Sequence, residues 1–379
     1  MLELERNVMV YKDLNTSPRI LLGPGPSMVH PRVLRAMAHP LVGHLDPQFV
    51  YLMNEVQDLL RYVFQTKNEI TFPLSGTGSA GMDAVVGNFV EPGDPVLVCV
   101  NGYFGERLCD MTKRYGGELT RIDKKWGEAF SPDEIRKALL KKNVKVVMIV
   151  MAETSTGVLQ PLDKIAEIVH EFGALLLVDC VTSLGGVPVS VDSNGIDIAY
   201  SGTQKCISCP PGLSPITIND RARQVIHNRK TKNPSWYLDI SLIECYWGNE
   251  RTYHHTAPIS MNYALRESLR LIQEEGLDLR FIRHKENAEF FWHCLSEIGL
   301  EPFVEEKYRL PSLTTVKVPV GVNGDEVTKK LLNEYNIEIA GGLGELKGKV
   351  WRVGLMGYSS SKENIVLLTG ALSRILQNT

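Results

Sequence analysis

Continuous apolar runs alternate with segments of helical periodicity between about residue 48 and residue 218, and this alternation constrains the fold most strongly. The apolar runs are strand-sized: Val96–Val100, Val144–Met151, Leu175–Val178, Ile196–Tyr200 and Leu213–Ile218. Strands buried on both faces read as unbroken apolar runs, and strands that alternate with helices imply crossover connections and a largely parallel sheet. We therefore expect one large α/β domain over residues 20–257.

The pattern changes after Pro258. Two long amphipathic helices are predicted at Met261–Glu274 and Ile282–Leu300, followed by shorter strands and helices up to the last helix at Lys362–Gln377. This pattern predicts a smaller α+β domain over residues 258–379. Residues 1–19 are predicted to form an N-terminal arm that ends at Ser17-Pro18.

Charge and composition exclude several classes of protein. The chain has 379 residues, with 41 Lys and Arg against 44 Asp and Glu, a net charge of −3 that argues against nucleic-acid binding. No apolar run reaches the about 18–20 residues that span a bilayer, so no membrane partner is expected. Seven scattered cysteines and no visible secretory signal predict free thiols and a cytoplasmic protein.

The segment Ser75-Gly-Thr-Gly-Ser-Ala-Gly81 follows a predicted strand and opens a predicted helix. Small residues let backbone amides approach a phosphate, and a helix N-terminus favours an anion. Gly76–Gly81 also fits the dinucleotide pattern, which requires an acid at the end of the next strand, but that strand ends in Asn101-Gly102. A phosphate cradle is favoured, with a dinucleotide site and a tight turn as the alternatives.

Three charged residues stand beside predicted strands. Asp179 ends one strand, where it meets a cation such as a protonated ring nitrogen or caps the following loop. Lys205 follows Ser201-Gly-Thr-Gln204, where it is a nucleophilic amine able to form a Schiff base or an ordinary solvated lysine. Arg352 suits bidentate binding of a carboxylate or forms a surface ion pair.

Two other motifs are predicted to have no chemical role. Cys206 and Cys209 form a lone C-x-x-C without a second pair at zinc spacing, which favours an ordinary loop. His254 and His255 are adjacent, so in an extended segment they would point in opposite directions and not chelate one metal. No metal site is predicted.

Together the motifs resemble the class V pyridoxal-phosphate aminotransferases, and most closely their alanine–glyoxylate (serine–pyruvate) branch. The resemblance runs from about residue 18 to the C-terminus, and nine motifs occur in the family's order: Gly23–Pro26, Ser75–Gly78, Ser155–Pro161, Val178-Asp179, Ser183–Gly186, Ser201–Lys205, Tyr253–Thr256, Gly341–Gly344 and Arg352–Gly354. It implies fold type I of the pyridoxal-phosphate enzymes and a homodimer with active sites shared at the subunit interface.

The resemblance also implies roles for individual residues. Lys205 would bind pyridoxal 5'-phosphate covalently and move a proton between substrate and cofactor, and Asp179 would keep the cofactor's ring nitrogen protonated. Tyr253 and Thr256 would reach the cofactor from the partner subunit. The other cofactor-binding residues would be Thr77, Gly78, Ser79, Phe104, Thr154 and Gln204, and the substrate-binding residues Arg352, Ser183 and Gly25.

The substrate prediction depends on what the motifs lack. Phe104 stands where this branch often has Trp, and Ser79 where some relatives have His. No second Arg lies in a matching motif, which favours alanine or serine as donor and glyoxylate or pyruvate as acceptor. The nearest alternatives are a serine–glyoxylate or a hydroxykynurenine aminotransferase. A cysteine desulfurase is disfavoured, because residues 295–379 contain no Cys. A nucleotide-binding module is the last alternative, and it would tolerate Lys205→Ala.

Overall fold

The computed structural model describes residues 11–377. Fourteen strands occur in this range, numbered in chain order: β1 Ile20–Leu21, β2 Ile70–Ser75, β3 Pro95–Val100, β4 Glu118–Asp123, β5 Val146–Val150, β6 Ala152–Glu153, β7 Val158–Leu159, β8 Leu175–Asp179, β9 Ile198–Tyr200, β10 Leu213–Ile218, β11 Leu313–Lys317, β12 Ile337–Glu338, β13 Ala340–Gly341 and β14 Val350–Gly354.

Twelve α-helices are found over the same residues: α1 Pro31–Met37, α2 Pro47–Phe64, α3 Gly78–Phe89, α4 Tyr103–Arg114, α5 Pro132–Leu139, α6 Ile165–Glu171, α7 Asp220–His227, α8 Ile240–Trp247, α9 Ile259–Glu275, α10 Leu277–Glu297, α11 Gly324–Tyr335 and α12 Lys362–Gln377. None of them is long and apolar enough to cross a membrane. Helix α5 begins with a capping box, in which Ser131 and Glu134 satisfy each other's backbone N–H groups.

A seven-stranded sheet forms the centre of the fold, in the order β2-β10-β9-β8-β5-β3-β4. All neighbouring strands are parallel except for β10, which is antiparallel to both β2 and β9. The predicted α/β class with a mostly parallel sheet is therefore confirmed. Strands β3, β5 and β8 are central and buried on both faces, which explains their unbroken apolar sequences.

Two apolar layers cover the faces of this sheet, and a third apolar cluster lies around α10, α11, α12 and β14. Helix α9 contributes Leu265 and Leu269 to one of the layers on the large sheet. Strand β1 instead pairs with β12, through Ile20 and Ile337, and Leu22 belongs to the third cluster. The predicted domain limits, 20–257 and 258–379, stay predictions, and packing across them is extensive.

The predicted arm, residues 1–19, lies partly outside the described residues. Residues 11–18 are exposed and belong to no helix or strand, and residues 1–10 are not among those described. The chain then passes through β1 to Pro24 and Gly25, which lie against Lys205. The first structured segment of the chain therefore runs directly into the candidate site.

Candidate active site

The candidate residues gather at one edge of the large sheet. Strands β2, β3, β5, β8 and β9 run in the same direction and end there. Ligands of open α/β sheets bind outside this carboxyl edge. The segments that follow these strands carry most of the residues singled out from the sequence, including Thr77, Phe104, Thr154, Asp179 and Lys205.

Lys205 is partly buried, and its amine lies against the N-terminal segment. Its Nζ donates a hydrogen bond to the carbonyl oxygen of Pro24. Burial lowers the pKa of Lys205 to about 8, and the positive charge of Arg352 acts in the same direction. A lysine with this pKa is neutral for an appreciable fraction of the time near neutral pH, as a nucleophilic amine requires.

Gly25 leaves room for that amine. A Cβ placed on Gly25 would lie 2.6 Å from Nζ of Lys205, and the backbone φ of +110° at Gly25 is itself unfavourable for a side chain. The structure therefore brings together Lys205 and Gly25, two residues 180 positions apart that the family resemblance assigned to one site.

Asp179 is fully buried and doubly hydrogen-bonded. Its Oδ1 accepts from the backbone N–H of Val181 at 2.8 Å, and its Oδ2 accepts from the Tyr200 hydroxyl at 2.5 Å. Burial raises the pKa of Asp179 to about 6, against the opposing effects of these bonds and of Lys205. The bond from Val181 caps the start of the following loop, as one alternative expected, although through Val181 and not through Thr182 or Ser183.

The segments around residues 77 and 204 form a cradle of small residues. Helix α3 begins at Gly78 after Thr77, which makes no side-chain capping bond. A Cβ on Gly202 would lie 3.3 Å from Cα of Gly78, so the two backbones approach closely. The side-chain oxygen of Gln204 is buried without a hydrogen-bond partner. The uncapped backbone N–H groups at the start of α3 favour an anionic ligand, whereas the unpaired oxygen of Gln204 is an acceptor that needs a donor.

Phe104 lies in the first turn of α4, beside the cradle. The guanidinium of Arg107 lies 4.9 Å from the centre of the Phe104 ring and donates to Oγ of Ser79 at 3.2 Å. Arg107 was not predicted from the sequence. It adds a positive charge next to the start of α3, and this charge also lowers the pKa of Asp179.

Glu153 is the main residue that the sequence analysis missed. It is fully buried, and its carboxylate accepts from the backbone N–H and hydroxyl of Ser155, at 3.0 and 2.6 Å, and from the N–H of Phe104 at 3.2 Å. Burial raises the pKa of Glu153 to about 7. The available signal was an acidic residue between the apolar run ending at Met151 and the motif beginning at Ser155.

Arg352 reaches the site from β14, the middle strand of a three-stranded sheet in the order β11-β14-β13. It is 7% exposed, and its Nε donates to the carbonyl of Gly341 at 2.8 Å. Burial lowers the pKa of Arg352 to about 10, and the charge of Glu153 opposes this effect. The two terminal nitrogens make no hydrogen bond to any of residues 11–377, which leaves the fork of the guanidinium free for a ligand.

Thr154 and Ser183 are both buried at this edge of the sheet. Oγ1 of Thr154 lies 2.6 Å from Oγ1 of Thr182, whereas Oγ of Ser183 has no hydrogen-bond partner. Neither residue is hydrogen-bonded to Lys205 or Arg352. Their predicted contacts with cofactor and substrate stay predictions.

Tyr253 and Thr256 are exposed, and neither is hydrogen-bonded to Lys205, Asp179 or the α3 cradle. Their segment is connected to the cradle through Nε2 of His255, which lies 2.7 Å from Oγ of Ser75. One prediction here is wrong: the rings of His254 and His255 approach each other, with their Nδ1 atoms 2.8 Å apart, because this segment is a bent loop and not an extended strand.

Cys206 and Cys209 are fully buried in the loop after Lys205. Burial raises the pKa of Cys206 to about 11 and that of Cys209 to about 12. Thiols with such pKa values are poor nucleophiles near neutral pH. Among residues 11–377, no group of His, Cys, Asp or Glu side chains is arranged to hold a metal ion.

The fold and this arrangement define a class of protein. A family model described as Aminotransferase class-V matches residues 20–364, and the chain belongs to that family. Alanine–glyoxylate aminotransferase of Rattus norvegicus is 43% identical over 371 residues, which are 97% of this chain and 90% of that protein. The predicted family, fold class and aminotransferase activity are thereby confirmed.

Two further relatives extend the similarity. (S)-Ureidoglycine–glyoxylate transaminase of Bacillus subtilis is 40% identical over 96% of this chain and 92% of its own length. The crystal structure of alanine–glyoxylate aminotransferase from Nostoc sp. superposes with a TM-score of 0.96 at 55% identity, covering 97% of this chain and 98% of that one. The family match over residues 20–364 includes all the candidate residues.

Proposed function

We propose that this aminotransferase uses pyridoxal 5'-phosphate to transfer the amino group of a small neutral amino acid, alanine or serine, to glyoxylate or pyruvate. The most favoured reaction is amino transfer from alanine to glyoxylate, which gives pyruvate and glycine. One observation carries the proposal: a lysine amine with a lowered pKa lies within electrostatic reach of a buried carboxylate, Asp179, and a buried guanidinium, Arg352. The names of the relatives support the choice of glyoxylate.

The residues at the carboxyl edge fit pyridoxal phosphate. The uncapped backbone N–H groups at the start of α3 and the close glycine backbones at 78 and 202 suit a phosphate group, with the side-chain NH2 of Gln204 proposed as a further donor. The buried carboxylate of Asp179 suits a protonated ring nitrogen, which would return its pKa towards the ordinary range. When bound, the cofactor withdraws electrons from the substrate Cα. Thr77, Ser79, Phe104 and Thr154 complete the proposed cofactor-binding set.

Lys205 is proposed to bind the cofactor covalently and then to carry a proton on Nζ. Gly25 and the carbonyl of Pro24 confine that atom to one side of the site. The free nitrogens of Arg352 are proposed to bind the substrate carboxylate, with Ser183 and Gly25 beside it. Arg107 lies beside the α3 cradle and is proposed to face the phosphate, so that Arg352 alone is assigned to a substrate carboxylate, which favours small neutral substrates over acidic ones.

A homodimer with shared active sites accounts for Tyr253 and Thr256. Tyr253 is 57% exposed, and the neighbouring Trp236 and Tyr237 are 61% and 44% exposed. Exposed aromatic side chains of this kind are typical of interfaces. If each site takes its lysine from one subunit and Tyr253 from the other, mixing Lys205→Ala with a Tyr253→Ala/Thr256→Ala variant restores activity. Up to about a quarter of all sites would then be complete.

A cytoplasmic location is also proposed. All seven cysteines are free in the structure, as is typical of a reducing compartment. Fractionation of the source cells with an antibody to the protein tests this proposal, and recovery with an organelle would contradict it.

The central test combines a visible spectrum with product analysis. The purified protein should show a cofactor band that bleaches with L-alanine and returns with glyoxylate, and pyruvate and glycine should form in equal amounts. Lys205→Ala should bind the cofactor without turnover. A band that alanine leaves unchanged would contradict the alanine assignment, and the same protocol with serine, hydroxykynurenine and (S)-ureidoglycine then identifies the donor. Release of sulfide from cysteine would instead indicate a desulfurase.

A further inference from the structure

Four charged or polar side chains form a cluster where α9 meets α10: Glu275 at the end of α9, and Arg280, Arg283 and His284 in α10. Arg280 and His284 are buried, whereas Glu275 and Arg283 are partly exposed. Arg280 is its centre and is 5% exposed. Burial of a guanidinium is costly, and an apolar side chain of similar volume would often be neutral or stabilising at such a place. The position of Arg280 therefore calls for a reason beyond stability.

Arg280 binds both the loop that carries Ser183 and the turn that carries Lys205. Its Nη2 donates to the carbonyl of Cys206 at 2.5 Å, and Cys206 directly follows Lys205. Its Nε donates to the carbonyl of Gly185 at 2.8 Å, two residues after Ser183. One planar side chain therefore fixes two backbone carbonyls that belong to different loops of the site.

The third side of the guanidinium is anchored. Nη1 of Arg280 donates to Oε2 of Glu275 at 2.7 Å, and the other carboxylate oxygen of Glu275 accepts from Nε of Arg283 at 2.6 Å. With all three of its nitrogens engaged, Arg280 cannot rotate without breaking an ion pair. This rigidity is transmitted to the turn that carries Lys205.

The same cluster holds the turn that follows the strand of Arg352. Arg283 donates to the carbonyls of Gly357 and Ser360, at 3.1 and 2.8 Å. His284 accepts the N–H of Gly357 through Nε2 at 2.9 Å, and its Nδ1 lies 2.8 Å from the carbonyl of Arg280. Burial lowers the pKa of His284 to about 3, so the ring is neutral, as this pair of contacts requires.

A second connection joins these turns directly. The backbone N–H of Tyr358 donates to Oγ of Ser208 at 2.8 Å, and Ser208 ends the turn that begins at Lys205. Oγ of Ser27 donates to the carbonyl of Lys205 at 2.8 Å. A Cβ on Gly357 would lie 2.5 Å from the carbonyl oxygen of Cys206, so the two turns are in close contact.

We propose that Arg280 is a positioning residue that locks the Lys205 turn to the loop of Ser183 and Gly185, so that the lysine amine keeps a fixed place beside the substrate-binding residues. The proposal rests on the function proposed for Lys205 and Arg352, and it adds to that function a residue that touches neither cofactor nor substrate. Arg283 is the matched control, because it contacts Glu275 and the 357–360 turn but not the Lys205 turn.

The test measures the lysine itself in the cofactor-free, full-length protein. Wild type, Arg280→Ala, Arg280→Lys and Arg283→Ala are labelled with acetic anhydride across a pH series, and mass spectrometry of the Lys205 peptide gives its titration midpoint. Asp179, Arg352 and Cys206 face this amine in every variant. A loosened turn admits water, so Arg280→Ala should raise the midpoint by about one pH unit, Arg280→Lys by less, and Arg283→Ala should leave it unchanged.

Chemical rescue supplies a second measurement. Arg280 lines a cavity of about 330 Å³ that also contacts Ser208 and Tyr358, and through it guanidinium ion can enter Arg280→Ala. Guanidinium at low millimolar concentration should restore the wild-type midpoint and raise the turnover of the reconstituted variant about tenfold. Urea, which is uncharged and of similar shape, should do neither, and salt at equal ionic strength controls for screening.

An unshifted Lys205 midpoint in a folded Arg280→Ala protein overturns the proposal, as do equal shifts in Arg280→Ala and Arg283→Ala. If Arg280→Ala does not fold, Arg280→Lys decides, since it keeps the charge and the stem but loses two of the three donor positions. Failure of the wild type to convert alanine and glyoxylate would overturn the proposed substrates only, because the labelling requires neither.

Discussion

The hydroxyl of Tyr200 donates a hydrogen bond to Oδ2 of Asp179 at 2.5 Å, between residues that are paired in register on neighbouring parallel strands. The donor is fully buried, and its own pKa is raised well above the ordinary value, first by burial and then by the carboxylate, so it stays protonated. The bond stabilises the ionised form of a carboxyl group whose burial favours the neutral form.

Removal of this donor should shift the pH dependence of catalysis. In Tyr200→Phe the pKa of Asp179 rises further above about 6, by about one unit. The acid limb of the kcat/KM profile therefore moves to higher pH, and activity is lost first on the acidic side. Tyr246→Phe is the control, because its buried hydroxyl donates to the carbonyl of His44, far from Asp179 in the bonding network. Identical profiles in wild type and Tyr200→Phe would contradict this role.

Arg352→Ala should raise KM for alanine and for glyoxylate about 100-fold, since charge-assisted hydrogen bonds contribute about 1.5–3 kcal/mol each. Affinity for the cofactor should change little. Arg352→Lys retains a charge without the fork and should give an intermediate KM. The control is Arg309→Ala, which also removes a guanidinium bound to a backbone carbonyl. Steady-state kinetics measure KM in each variant. An unchanged KM in Arg352→Ala would contradict the proposal that Arg352 binds the substrate carboxylate.

Gly25→Ala should prevent Lys205 from holding the cofactor. The added methyl group would lie 2.6 Å from Nζ and 2.7 Å from Cδ of Lys205. Gly23→Ala is a matched control two residues away, because its nearest neighbour, the carbonyl oxygen of Glu338, is 3.9 Å from the new Cβ. Borohydride reduction followed by mass analysis of the Lys205 peptide should show full labelling in Gly23→Ala and little in Gly25→Ala. Equal labelling would show that the contact is readily relieved.

Glu153→Gln should change how stability depends on pH. The folded-state pKa of Glu153, about 7, lies above the ordinary value of 4.5. Its contribution to stability is therefore present at low pH and is lost as the pH rises from about 4.5 to about 7. The variant lacks this loss, so its unfolding free energy relative to wild type should rise by about 2–3 kcal/mol from pH 5 to pH 8.

Urea unfolding of the cofactor-free protein at both pH values checks this prediction. Glu153→Gln should also lower the free energy of unfolding by the same amount at both pH values. The bond to Phe104 is lost, because the amide nitrogen of Gln faces another donor. Only the difference between the two pH values measures the ionisation of Glu153. A relative stability that is independent of pH would mean that Glu153 stays ionised, or stays neutral, throughout the range.

Elements buried on both faces were predictable from the sequence, and exposed ones were not. Strand β10 was predicted with its observed limits, and the predicted limits of β3 and β8 differ by one residue each. Strand β4, Glu118–Asp123, was missed because it lies at the edge of the sheet and carries charged residues on exposed positions. Helix α8 was missed because its eight residues are too short for a clear period.

The residues of the candidate site also divide into those that the sequence predicts and those that it does not. Lys205, Asp179 and Gly78 follow strands in motifs of small residues, which a sequence displays directly. Tyr200 and Glu153 gain their roles from strand order and burial: β9 must lie beside β8 before Tyr200 can reach Asp179. Such contacts depend on the tertiary structure, and local patterns do not contain them.

The pairing of β1 with β12 sets an order of events during synthesis. Arg19 contacts Asn336, 317 residues later in the chain, and at roughly 5–20 residues per second a ribosome needs about 15–60 s to make that distance. Until then Ile20–Leu21 has no partner strand, and Leu22 lacks Gly354, whose N–H it accepts. The carbonyl of Pro24, which accepts a hydrogen bond from Lys205, is therefore among the last parts of the site to reach its position. A nascent chain that is released early has Lys205 without this hydrogen-bond partner.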